Sequence, residues 1–192
     1  MVLHTKGDPG CSIANTGFSG KLLTSNCAVN APGQPMNAGC GIEAASPDSY
    51  GDGFNRAGGG VYATEWTDEA ITIWHFSRDK VPGDVTGERP DPRGWGMPVA
   101  RFAGDCDING HFGAQQIVCL PFDYFLCCVF LGICLPFQVF DITFCGDWAG
   151  NTWGSGSCAS KANSCQDFVT NNAGAFQESF WRINSLKVYQ NE

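Results

Sequence analysis

Carboxylates have the widest chemical reach of any residues in this chain, and their spacing decides what they can do. Two Asp or Glu side chains on one wall of a cleft can divide the roles of nucleophile and general acid between them. On a strand, that requires positions two apart, because alternate residues face the same side. No Glu-x-Asp occurs anywhere in the sequence. Glu65-Trp66-Thr67-Asp68-Glu69 runs across a predicted turn, and Glu88-Arg89-Pro90-Asp91 sits in a proline-rich stretch, so neither can present carboxylates on one face. Asp105, Asp107, Asn109 and Gly110 imitate a calcium loop, but its twelfth position is Gln116 where a bidentate Glu is needed. No metal and no cofactor is expected. His4, His75 and His111 are scattered, and no Ser/His/Asp or Cys/His spacing points to a nucleophile.

Cysteine is the second reactive type, with 11 in 192 residues. The spacing does not repeat as paired Cys-x-x-Cys with matching His, which argues against zinc and for a disulfide framework in an oxidising compartment. Outside Cys119, Cys127, Cys128 and Cys134 the count is odd, so one thiol lacks an intrachain partner. MVLHTKGDPG at the start has no basic region followed by an apolar stretch, so no signal peptide is visible in this chain.

The elements that must position these groups are short. With 25 Gly, 10 Pro and only 16% charged residues, long helices have little room. Many short strands joined by turns are expected. The first sixty residues read as loop, and GFNRAGGG (Gly53–Gly60) as a turn cluster. Val61–Trp66 and Ile71–Phe76 read as a hairpin over the turn Thr67–Ala70. Val61, Ala63 and Glu65 then share one face, and Tyr62, Thr64 and Trp66 the other. Ser77–Pro98 is a long surface loop broken by Pro82, Pro90, Pro92 and Pro98. Phe140–Phe144 reads as a strand, CQDFVTNNAGAFQ as the place of a short helix, and Ser179–Gln190 as a final strand whose alternation inverts at Leu186. A net charge of −8 argues against nucleic acid and anionic membrane, and leaves neutral partners open.

GGGVYATEWTDEAITIW, FDITFCGDWAG and FWRINSLKVYQ together resemble, in order and spacing, the C-terminal portion of glycoside hydrolase family 16. The nearest likeness is to fungal laminarinase-type endo-1,3(4)-β-glucanases, and SYGDGFN with the loop cysteines fits that subgroup. The resemblance implies an all-β fold, a concanavalin A-like β-jelly-roll sandwich with a cleft for a β-glucan chain, and a secreted, extracellular, retaining enzyme. In that family a motif E-x-D-x-x-E or E-x-D-x-E supplies the carboxylates. It is absent here, and the family's catalytic strand lies just upstream of a segment like MVLHT (Met1–Thr5). The expectation is an incomplete sandwich without its catalytic strand, in which no residue is catalytic and hydrolysis does not occur. The alternatives are a non-catalytic β-glucan-binding remnant and a non-functional gene product. A monomer is expected if the chain folds.

By the same resemblance, Trp148 and Asp141 line the cleft on the FDITFCGDWAG strand, and Glu65 and Trp66 match the family's Glu-Trp pair. A tryptophan face stacks on a sugar ring. The bland readings are a core Trp148, a solvated Asp141, a core Trp66 and a Glu65 of either kind. Related enzymes carry His where Gly60 stands, so that role does not transfer. Asn184 replaces an Asp through which some members bind calcium.

One stretch does not fit. Cys119–Phe137 is apolar enough to suggest a membrane span, but Pro121, Asp123 and Pro136 interrupt it. A span there would split a sandwich strand, so membrane insertion is disfavoured. Removing Val118–Gln138 joins QQI to VFDITFCGDWAG and restores the family's strand in frame. Val-Cys and Gln can encode intron boundaries, so the apolar insertion is read as a translated, retained intron inside a partial family 16 domain spanning residues 1–192.

Overall fold

The computed structural model describes residues 1–6, 10–112, 144–146, 150, 152–156 and 158–189. The chain divides into two units, Met1–Ala114 and Gln115–Glu192.

In the first unit, eight short strands form three antiparallel sheets. Strands β1 (Val2–Leu3), β3 (Lys21–Thr24) and β4 (Cys40–Glu43) make one, in the order β1-β4-β3. Strands β2 (Cys11–Ile13) and β8 (Gly104–Cys106) make the second. Strands β5 (Gly60–Trp66), β6 (Ile71–Ser77) and β7 (Ala100–Phe102) make the third, with β6 central. The strand-rich architecture is the one the Gly- and Pro-rich sequence predicts. The first sixty residues differ from the loop expectation: they hold β1 to β4, each two to four residues long. Strands that short carry too few alternating positions to be read from periodicity. Covalent ties hold β2 and β4, and β1 and β3 pair with β4. Cys11–Cys106 joins β2 to β8, and Cys27–Cys40 ties the preceding loop to β4.

The predicted turn at Gly53–Gly60 is also corrected. Helix α1 (Gly51–Arg56) forms first, and only Gly58 and Gly59, at φ of 75° and 88°, turn the chain into β5. Gly53 permits this helix because a Cβ there would overlap the Pro47 carbonyl. The β5–β6 hairpin forms in the expected register, from Gly60 opposite Ser77 to Trp66 opposite Ile71. Its turn is organised by Thr67, whose Oγ1 accepts from the backbone N–H groups of Glu69 and Ala70, both at 3.2 Å. Short-range hydroxyl bonds of this kind are why Thr favours turns.

The core of this unit gathers Ile13, Ile42, Ile71, Phe102, Ile108 and Phe112 with Cys11, Cys27 and Cys40. Behind β6, the long Ser77–Pro98 loop is ordered by aromatic contacts. The Trp95 ring meets Trp74 and Phe76 edge-on at 5.2 and 5.9 Å. Both indole N–H groups are satisfied within the loop, Trp74 by the Gly96 carbonyl at 3.0 Å and Trp95 by Asp84 Oδ2 at 2.8 Å. The Asp91 backbone N–H, at 2.8 Å from the same oxygen, and the Trp95 indole hold the Asp84 carboxyl below the usual carboxylate range.

The calcium-like segment takes a structural form. Asp105 lies on β8 opposite Ser12, and Asp107 Oδ1 accepts from Gly110 N at 2.9 Å at the start of α2 (Ile108–Phe112). Among the described residues, no cluster of three or more His, Cys, Asp or Glu is placed to hold a metal, and no helix is long and apolar enough to cross a membrane.

In the second unit, α3 (Cys165–Asn171) is the short helix the sequence predicts, and Ser164 caps it by accepting from Asp167 N at 3.1 Å. Cys145–Cys165 is its disulfide, and Cys158 is the free thiol among the described residues. The predicted final strand Ser179–Gln190 carries no strand assignment over residues 179–189, where Phe180, Trp181, Ile183 and Leu186 are exposed. The inversion of alternation at Leu186 gives the segment no single apolar face to bury. The predicted strand Phe140–Phe144 lies outside the described residues except for Phe144, which is exposed, and Gln115–Val118 and Val118–Gln138 lie wholly outside them.

Candidate functional site

The hairpin decides where the first two expected contacts point. Glu65 and Trp66 are adjacent on β5, so the pleat sends them to opposite faces. Glu65 stands opposite Thr72, whose other neighbour across the sheet is Arg101, giving a polar row Glu65–Thr72–Arg101. Trp66 stands opposite Ile71 and is 47% exposed. The core reading of Trp66 is therefore corrected. Among the described residues β5 pairs only with β6, so described strands flank Trp66 on one side. Asp141 and Trp148 lie outside the described residues. Glu65 and Trp66 consequently do not meet one sugar ring from the same side.

Tyr62 is the residue that sequence reasoning passed over. It shares the Trp66 face, four positions earlier on β5, about 13 Å along the strand. Its hydroxyl donates to the Ser49 carbonyl, tying the hairpin to the segment before α1. That segment is itself tightened by Ser46, whose carbonyl accepts from Ser49 Oγ at 2.8 Å and whose Oγ accepts from Asp48 N at 3.2 Å. Partial burial raises the Tyr62 pKa above the usual phenol value, opposed by the bond to Ser49. The alternation of Val-Tyr-Ala-Thr-Glu-Trp did place Tyr62 beside Trp66. Its partner, Ser49, is a tertiary contact that no local pattern encodes.

Around Tyr62 lies a cavity of about 360 Å³, lined by Leu23 of β3, Ile42 and Glu43 of β4, Ser49, Tyr50 and Tyr62, with Met1, Val2 and Ala44. Tyr50 is 71% exposed and Tyr62 47%, so two phenol rings and a carboxylate stand at an otherwise apolar hollow. Aromatic faces beside hydrogen-bonding groups suit a ligand with C–H faces and hydroxyl edges, which is the chemistry of a sugar. Hydrolysis would need more: two carboxyl groups about 5–5.5 Å apart for a retaining enzyme. Of the described carboxylates near Trp66 in sequence, Glu65 is on the opposite face of β5, and Asp68 and Glu69 are exposed at the hairpin tip.

A family model described as "XgeA-like, catalytic GH16 domain" matches residues 1–134 and 136–189. An endo-1,3(4)-β-glucanase of Arthroderma benhamiae is 43% identical over 98% of this chain and 37% of its own length. A probable glycosidase of Schizosaccharomyces pombe is 41% identical over 99% of this chain and 40% of its own length. Among solved structures, laminarinase 16A of Phanerochaete chrysosporium, a GH16 enzyme holding 6-O-glucosyl-laminaritriose in donor and acceptor sites, superposes with a TM-score of 0.65. It is 33% identical, over 92% of this chain and 52% of its own. An elongating family 16 β-1,3-glucosyltransferase matches equally, with a TM-score of 0.65 and 33% identity over 93% of this chain and 53% of its own. The chain thus spans about 40% or less of these curated relatives. The sheets and the superposition fit the β-jelly-roll class.

Proposed function

The chain belongs to glycoside hydrolase family 16, and from that premise we propose that its ligand is a β-1,3(4)-glucan, which these 192 residues bind without cleaving. The observation that carries the second half is the sequence itself, which contains no Glu-x-Asp. The family's spacing, which sets a nucleophile and an acid on one cleft wall, is thus missing, and the one pair of carboxylates two apart, Asp105 and Asp107, has Asp107 beyond the end of β8 and bonded to Gly110 N. Retaining endo-1,3(4)-β-glucan hydrolysis is the family chemistry to which such a binding surface belongs. In this reading Trp66 and Tyr62, which share one face of β5, and Trp148 supply stacking faces and Asp141 an acceptor for sugar hydroxyls, while Glu65, on the opposite face of β5, is an acceptor only for a different part of the glucan. An extracellular setting is part of the same proposal, and the disulfides Cys11–Cys106, Cys27–Cys40 and Cys145–Cys165 support it.

Two assays on the purified chain test this. Incubation with laminarin and with mixed-linkage β-glucan is expected to release no reducing ends. Turnover would overturn the non-catalytic half. Co-sedimentation with insoluble β-1,3-glucan is expected to retain the chain and to lose it with Trp148→Ala. Passage without retention would overturn the binding half.

A further inference from the structure

Among the described residues of the first unit, His75 has a buried ring nitrogen that the glucan reading leaves unused. It lies on β6 directly opposite Tyr62, and its ring centroid is 4.8 Å from Tyr62 and 6.0 Å from Phe54 of α1. Its Nε2 is buried and has no hydrogen-bond partner. Gly60 closes the remaining side, since a Cβ there would approach that Nε2 to 2.9 Å. The nitrogen is thus surrounded by aromatic rings, the Gly60 backbone and the Phe76 carbonyl, none of which hydrogen-bonds to it. A neutral imidazole fits, with its lone pair at Nε2. An imidazolium would place an N–H donor there with nothing to receive it, and aromatic faces are a weak substitute.

We propose that His75 is a proton-sensitive latch: neutral, it holds α1 and the Ser46–Tyr50 wall of the cavity against the β5–β6 hairpin, and on protonation it releases them. The wall depends on this packing because it meets the hairpin through the same cluster, by Phe54 and by the Tyr62–Ser49 bond. The charged groups around the cluster are Asp48, Asp52, Arg56 and Arg78, and the cavity it borders adds Glu43 and the Met1 ammonium, whose pKa burial lowers against the pull of Glu43. Asp48 precedes α1 and its charge favours the imidazolium, while Asp52 and Arg56 on α1 are exposed. Arg78 at the end of β6 is engaged with the Gly58 carbonyl at 3.1 Å. The Tyr62 phenol is neutral in this range. On the β7 side the chain presents Pro98, Val99 and Ala100, which carry no charge. Burial prevails over Asp48, so the folded imidazole titrates below its ordinary value. A depressed value makes the closed state fully favoured above about pH 6.5 and progressively less so as pH falls through that range. The inference stands independently of glucan binding, and its test contains no glucan.

Hydrogen exchange of the whole chain reads the latch directly. The amides of Ser49, Phe54, Ala57 and Gly59 donate to Ser46, Tyr50, Gly53 and Phe54 carbonyls in the closed form. Corrected for intrinsic rates, their exchange is expected to rise about tenfold between about pH 7.5 and about pH 5, with Thr67 and Val99 amides unchanged. His75→Phe keeps a ring and removes the proton site, and should abolish the rise. Asp48→Asn removes the group that favours the imidazolium, and should enlarge it. An unresponsive wild type, an equal rise in His75→Phe, or a rise abolished by Asp48→Asn would each overturn the latch.

Discussion

At the scale of single residues, opposite-facing neighbours make a sharp distinction. Trp66→Ala removes an exposed ring whose loss leaves little cavity, so stability should change little while glucan retention weakens by about 1 kcal/mol, or several-fold in affinity. Comparing sedimentation isotherms with urea midpoints separates the two effects, and an unaltered isotherm would remove Trp66 from the binding face. Gly60→Ala should behave in the reverse sense. Its Cβ would press on the Phe76 carbonyl and on His75 Nε2, costing about 1–3 kcal/mol of stability in the urea midpoint. Sequence alternation was sufficient to assign Glu65 and Trp66 to different faces before any coordinates. It put Tyr62 on the Trp66 face without marking it as a site, because a tyrosine on a strand becomes one only when a distant segment, here Ser46–Tyr50, closes over it. It was silent on His75 for the same reason: an orphaned nitrogen is a property of the enclosure that Phe54, Tyr62 and Gly60 build.

At the scale of elements, legibility followed strand length. The β5–β6 hairpin runs seven residues on each side, enough alternation to announce itself, and Thr67 marks its turn. Strands β1 to β4 are two to four residues long and vanish among Gly, Asn and Ser. Cross-linking holds β2 and β4, and the pairing of cysteines is invisible in their spacing. Closing a loop removes denatured-state entropy in proportion to the logarithm of its length. Cys11 and Cys106 are separated by 95 residues, Cys27 and Cys40 by 13. On this account, replacing both Cys11 and Cys106 with Ala should cost about 4–5 kcal/mol, and replacing both Cys27 and Cys40 about 3 kcal/mol. Urea titration of the two double variants checks the order, and a larger loss from the shorter loop would show that local packing around Cys27 outweighs chain entropy.

At the scale of the whole molecule, charge separates real recognition from adsorption. The chain carries a net charge of −8 with a pI near 4.7, so at neutral pH it is repelled by nucleic acid and by anionic lipid. A β-glucan is neutral and offers no counterions to release. Binding through stacked rings and hydroxyl bonds should therefore be almost indifferent to ionic strength, since neither contribution is a long-range charge interaction. Retention on insoluble β-1,3-glucan is expected to stay within about twofold between about 0.05 and 0.5 M salt, a range over which the Debye length shrinks roughly threefold. The expected contrast is with a cationic resin, from which the same chain should elute over that range. Retention that collapses with salt on the glucan as well would identify the contact as adsorption of an acidic protein. The aromatic face of β5 would then have to be explained by packing rather than by sugar.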